Sequence, residues 1–123
     1  MRTIVIGAVL ALALMGQASA QSHWRANELL PACRTWGVGA PSSHQEAYDE
    51  GVCVGIITGE VFASHGFTSN QICEPRGVTN SQMVAVVVRY IEQHPQDMHL
   101  PFALLAFRAL HEAWPCELDQ ADK

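Results

Sequence analysis

Four cysteines, six histidines and a group of neighbouring carboxylates are the side chains of this 123-residue chain whose types and spacing bear on chemistry. The cysteines are Cys33, Cys53, Cys73 and Cys116. A nucleophilic thiol needs a free cysteine beside a base. An even number of cysteines in an exported chain reads instead as structural pairing. The histidines are His23, His44, His65, His94, His99 and His111, with no HxxxH or HxxH pair among them. A metal site needs clustered ligands. His94 and His99, five apart across a proline, read as solvent-facing or lightly packed residues. Glu46, Asp49 and Glu50 fall three and four residues apart, on one helical face. Without a partner base or metal they read as a solvated acidic face. There is no GxSxG, no glycine-rich phosphate loop and no CxxC. The reading is therefore a protein without catalytic residues, metal or cofactor, which works by binding.

The elements that position these residues begin after a leader. Met1 and Arg2 make a short basic start, Ile4 to Met15 is apolar, and Ala18, Ser19 and Ala20 form a small-residue cleavage site. This is the pattern of a secretory signal peptide, residues 1–20, cut before Gln21. The apolar run is short for a membrane span. A mature chain of about 100 residues makes one small domain whose modest core benefits from covalent staples. Removing Arg2 with the leader leaves six Lys and Arg against twelve Asp and Glu. That balance argues against nucleic acid as partner and suits either a basic partner or ordinary solubility. Export with paired cysteines points to an oxidising compartment, and the short leader on a small chain points to the bacterial periplasm.

Four helices are predicted and no strands. Residues 22–36 form the first, with Leu29, Leu30 and Cys33 at helical spacing. Asn27 or Ser22 offers a cap, and Pro31 should lie near its first turn or kink it. Residues 37–41 are a loop. Ser42 or Ser43 caps the second helix, which runs to about Ser64 and ends at Gly66. Residues 68–77 connect, with Pro75 and Gly77 in a turn. Thr79 opens the third helix with the capping-box sequence Thr-Asn-Ser-Gln. Met83, Val86, Val87, Tyr90, Ile91 and His94 share its inner arc, and His94-Pro95 stops it. Residues 96–100 are a short loop. Pro101 suits the first position of the fourth helix. Phe102, Ala106, Ala109, Leu110 and Ala113 make its buried stripe, while Arg108, His111 and Glu112 lie opposite. Residues 117–123 form an acidic tail.

The second helix organises the rest. Within YDEGVCVGIITGEV, residues 48–61, Gly51, Gly55 and Gly59 repeat every fourth position. Cys53, Ile57 and Val61 share one side; Tyr48, the three glycines and Phe62 share another. Two apolar sides predict a central, largely buried helix. Glycine costs roughly 1 kcal/mol per helical position relative to alanine. The glycine side is therefore expected to be a close contact with the third or fourth helix or with a second copy, so that Gly55→Leu should abolish folding.

Four cysteines allow three pairings. The third and fourth helices, joined by a short turn, should be antiparallel. That brings Cys73, before the third, to Cys116, after the fourth. Cys33 then pairs with Cys53. Cys53–Cys73 with Cys33–Cys116 stays open as a competing pattern. The exposed candidates for binding a partner are Glu46, Asp49 and Glu50, the loop residues His94, Gln96, Asp97 and His99, and Leu104, which falls among polar positions.

Three segments, YDEGVCVGIITG, CEPRGVTNSQMVAVVVRYIEQHP and ALLAFRALHEAWPC, together resemble the Rap/Tai family of periplasmic immunity proteins associated with type VI secretion. The shared pattern is carried here by Cys53, Gly55 and Gly59; by Cys73, Pro75, Gly77, Val78, Thr79 and Gln82; by His94 and Pro95; and by Trp114, Pro115 and Cys116. The resemblance covers residues 29–116 within a domain of residues 21–116. It implies an all-α, small four-helix disulfide-stabilised domain, often a homodimer. Such a domain binds a peptidoglycan amidase delivered into the periplasm by a sibling cell and blocks its groove. Two other readings stand beside it. One is a periplasmic stress or chaperone-like protein whose six histidines respond to acid. The other is an envelope structural domain without a toxin partner.

Overall fold

The computed structural model describes residues 24–66 and 71–116. The expected leader, the Ser22 cap, part of the 68–77 connection and the acidic tail lie outside the described residues. Within them the chain forms four α-helices: α1 Ala26–Thr35, α2 His44–Ser64, α3 Asn80–Gln93 and α4 Phe102–Ala113. A short 3-10 turn, Pro95–Asp97, joins α3 to α4. There is no strand among the described residues, only two isolated bridges, Arg25 with Pro101 and Ile72 with Pro115.

Local sequence explains most of the boundaries. The Thr79 hydroxyl accepts the Gln82 N–H at 3.3 Å, and the Gln82 side chain accepts the Thr79 N–H at 2.9 Å, a closed capping box at the start of α3. Ser43 caps α2 by accepting the Glu46 N–H at 3.1 Å. Gly77 takes φ 89° in the turn before α3, a conformation open to glycine, and Val78 N–H closes that turn on the Pro75 carbonyl.

The first helix departs from expectation. Its cap is Arg25, not Asn27, and Glu28 accepts the Arg25 N–H at 2.9 Å. Pro31 lies in the interior of α1, beyond the first turn. It removes the N–H that would meet the Asn27 carbonyl, and it lies on the exposed side of the helix. Pro101 is likewise one position earlier than expected, as the N-cap of α4. The second helix ends at Ser64 with His65 as its cap, just short of Gly66.

α2 packs against each of the other three helices. Its inner side is Glu50, Cys53, Ile57, Val61 and Ser64. Leu29, Leu30 and Cys33 of α1, Met83, Val84, Val87 and Ile91 of α3, and Phe102, Leu105, Ala106, Ala109 and Leu110 of α4 close the core around it. Two expectations change here. Ala113, placed in the α4 stripe, is exposed, because the core side of α4 is completed by Leu105 instead. More consequentially, the glycine side of α2 is not a contact with α3 or α4. A Cβ built on Gly51, Gly55 or Gly59 meets nothing within 4 Å. α2 is central in its packing but buried on one side only.

Disulfides join Cys33 to Cys53 and Cys73 to Cys116. The second follows from antiparallel α3 and α4: Cys73 N–H donates to the Trp114 carbonyl at 2.9 Å, beside the Ile72–Pro115 bridge. The loops they close, 20 and 43 residues apart in sequence, correspond to roughly 3 and 4 kcal/mol of stabilisation through the unfolded chain. Buried Ser64 adds a polar tie. Its hydroxyl donates to the Val61 carbonyl at 2.8 Å and accepts the Ile72 N–H at 3.3 Å.

Candidate partner-binding surface

The candidate residues fall in two places. The first is the start of α2. Glu46 and Asp49 line an open depression of about 390 Å³ together with Pro31, Ala32 and Thr35 of α1. Glu46 is already engaged: its carboxylate accepts the N–H and hydroxyl of Ser42. Those bonds, the hydroxyl first, hold the Glu46 carboxyl below the usual range. Gln45 donates to Asp49 at 2.8 Å. Glu50 does not belong to an exposed acidic face. Only 7% of it is accessible, because its position falls on the inner stripe with Cys53 and Ile57. It faces the 38–40 loop, in a second, smaller depression. The acidic group is thus largely local helix-start structure.

The second place is the α3–α4 loop. Asp97 N–H bonds the His94 carbonyl at 3.0 Å, and Leu100 N–H bonds the Asp97 carbonyl at 2.8 Å. The N-terminal end of α1 fastens the loop from outside: Ala26 N–H donates to the Leu100 carbonyl and Asn27 N–H to the Met98 carbonyl, both at 3.0 Å. Phe102 N–H returns to the Trp24 carbonyl at 2.7 Å. His94 is half-buried, its ring stacked on Tyr90 with centroids 4.2 Å apart and its Nδ1 2.7 Å from the Tyr90 carbonyl. His99 Nδ1 lies 3.0 Å from the Gln96 carbonyl. The loop therefore holds one shape and presents Gln96 and His99 to solvent, with Asp97 half-covered. Leu104, 39% exposed, sits in the first turn of α4 that follows.

These two places are not one site. The loop is bonded to the start of α1, and the acidic depression is lined by its later residues and by the start of α2. Three other surface features escaped the sequence reading. Tyr48 and Phe62 are 59% and 83% exposed, at the two ends of the glycine side of α2. A groove of about 240 Å³ runs between α1 and α3, floored by Cys33, Val84 and Val88. Arg34 on its rim pairs with Glu92 at 2.8 Å. Glu60 is the third: partial burial pushes its carboxyl above the usual range. Periodicity marks Tyr48 and Phe62 as apolar-side residues, but it does not say which side is covered. Among the described residues there is no group of three or more His, Cys, Asp or Glu arranged to hold a metal.

The family model described as Rap1a immunity proteins matches residues 25–116. The match begins at the α1 cap and ends at the last disulfide cysteine, so it takes in all four helices and both bridges. The chain belongs to the Rap1a immunity protein family. Comparison with curated proteins and with solved structures brings no match. Membership in the Rap1a family suggests an immunity protein directed against a bacterial effector, and with it a protein partner. The two disulfides fit the oxidising environment of a secreted protein. Among the described residues no helix is long and apolar enough to cross a membrane.

Proposed function

We propose that this chain is a periplasmic immunity protein that binds and neutralises a peptidoglycan amidase delivered by type VI secretion. The observation that carries the reading is the Rap1a family match across the whole helical domain. The reading includes a cleaved leader at residues 1–20, a non-catalytic mode of action without cofactor, and a homodimer as the working unit.

Inhibition of this kind requires a surface that keeps its shape while it fills an enzyme groove. The α3–α4 loop has that property. Its backbone bonds to itself and to the start of α1 are made before any partner arrives, so little conformational entropy is lost on binding. Gln96, Asp97 and His99 are the contact residues on this reading, with Leu104 as the apolar neighbour and His94 as the residue that holds the loop through Tyr90. The acidic start of α2 offers a second contact to a basic partner through Asp49, whereas Glu46 and Glu50 support the local fold.

The test is co-export with a candidate type VI peptidoglycan amidase from the same genome. Cells producing both should survive, and a Gln96→Ala/His99→Ala variant should lose protection while keeping its helical signal. Lysis of cells that contain the folded, exported wild-type protein would sink the reading.

A further inference from the structure

The two disulfides differ in what surrounds them. Cys33 and Cys53 belong to the core, at 2% and 0% accessibility. Cys73 is exposed, and its partner Cys116 is half-buried. Exchange of a disulfide begins when a thiolate reaches one of its sulfurs. The inner bridge can therefore exchange only when the core opens. The outer bridge offers Cys73 to solvent while the protein is folded.

The segment that Cys73 begins is weakly held between two fixed ends. One end is Ile72, fully buried, with its N–H on the Ser64 hydroxyl at 3.3 Å and a bridge to Pro115. The other is the Thr79–Gln82 capping box. Residues 73–78 between them are exposed or half-exposed throughout. Among the described residues, one backbone hydrogen bond ties this segment to the rest of the fold, from Cys73 N–H to the Trp114 carbonyl at 2.9 Å. The bond from Val78 N–H to the Pro75 carbonyl closes the segment on itself. Sparse burial and few backbone ties mark a stretch that opens locally, well before the core does.

Glu74 favours that opening. Its Oε2 is buried and accepts no hydrogen bond. Its ion-pair partner, when protonated, is His65, with Nε2 3.5 Å away and the ring side chain 55% exposed. Solvent screens such a pair. A buried carboxylate oxygen without a donor favours any rearrangement that returns it to water. The Cys73–Cys116 bond is the covalent tie that keeps the neighbouring residue in place.

We infer that Cys73–Cys116 is a dithiol-exchange site whose opening frees residues 73–78, and that Cys33–Cys53 is a closed structural bridge. The thiolate of an external dithiol forms a bond to the exposed Cys73 Sγ as the Cys73–Cys116 bond breaks. The electron pair leaves on Cys116 Sγ, which takes up a proton. The second thiolate of the dithiol then attacks its own sulfur of the mixed disulfide and releases Cys73 as a thiol. The dithiol ends as a cyclic disulfide, and two electrons and two protons have passed to the bridge. The inference does not depend on the identity of the effector. The α3–α4 loop lies at the far end of α3, a helix of 14 residues, and so about 21 Å from the exchange segment. Opening the segment leaves that loop and the helices in place.

The test uses the mature chain with both disulfides formed. It is treated under native conditions with dithiothreitol at about pH 8, where the reagent supplies thiolate, then quenched with iodoacetamide at intervals and mapped by mass spectrometry. Cys73 and Cys116 should be alkylated roughly tenfold or more faster than Cys33 and Cys53. The helical signal should be unchanged when the outer pair is fully labelled. In that species trypsin should cut after the exposed Arg76 roughly tenfold or more faster than in the oxidised chain. Cys73→Ser/Cys116→Ser, never reduced, should be cut as fast as the reduced chain, which separates the open bridge from the added alkyl groups. Equal labelling of the two pairs, or labelling of the inner pair first, would overturn the inference. So would outer-pair labelling that comes only with loss of the helical signal, or cleavage after Arg76 that stays at the oxidised rate in the reduced chain or in the serine variant. No effector enters this experiment, so its failure leaves the immunity reading untouched, and failure of the co-export test leaves this one untouched.

Discussion

Replacing Gly55 by leucine separates two accounts of α2. If the glycine side were packed against another helix of the same chain, a leucine there would force the helices apart and the protein would not fold. The structure predicts the opposite. The Cβ enters open space, and leucine is close to alanine in helix propensity, so the substitution should recover most of glycine's helical penalty of roughly 1 kcal/mol. For a domain of this size, 1 kcal/mol moves the melting midpoint by about 4–8 °C. Gly55→Leu should therefore be folded and melt a few degrees above wild type. The assay is thermal unfolding followed by circular dichroism with disulfides intact, at about 1 μM, where concentration-dependent stabilisation by self-association is smallest. A Gly55→Leu protein that is unfolded, or that melts several degrees lower at 1 μM, would refute the reasoning about this face.

Removing the Cys73–Cys116 bridge by a double alanine substitution should cost about 4 kcal/mol and removing Cys33–Cys53 about 3 kcal/mol, read as the difference in urea midpoints. Thr79→Ala opens the α3 capping box and should cost about 1 kcal/mol in the same assay. Glu60 has a folded-state pKa raised by desolvation, so the folded state binds its proton more tightly and stability falls as pH rises from about 4.5 through the folded value. Glu60→Gln should therefore melt higher than wild type at neutral pH, and that advantage should disappear below about pH 4. Glu46 has the opposite sign. Its pKa is lowered by Ser42, so its contribution is complete above the unfolded value and is lost as pH falls through the folded one. Glu46→Gln should be less stable than wild type at neutral pH and equal to it in strong acid.

The helices were legible because their ends carry specific chemistry. Thr79 with Gln82, Ser43 before α2 and His94-Pro95 after α3 mark boundaries that need no tertiary information. The disulfide pairing followed from the short α3–α4 loop, which forces antiparallel helices and brings Cys73 to Cys116. What could not be read was which apolar side of α2 faces inward. Two stripes of identical spacing lie opposite one another, and periodicity treats them alike; only the helices around α2 decide. Glu50 shows the same limit, because its spacing from Glu46 and Asp49 groups it with the acids while its register with Cys53 buries it. Of the binding candidates, the loop residues sit in a segment whose stiffness was invisible in sequence. The hydrogen bonds from Ala26 and Asn27 that stiffen the loop come from about seventy residues away along the chain.

The most direct measurement of the central claim is titration of the purified mature chain into a purified type VI peptidoglycan amidase effector from the same genome, following peptidoglycan cleavage. The immunity reading predicts stoichiometric loss of cleavage by the wild-type chain, with inhibition greatly weakened by Gln96→Ala/His99→Ala. Undiminished cleavage at a large excess of folded, disulfide-bonded protein would contradict it.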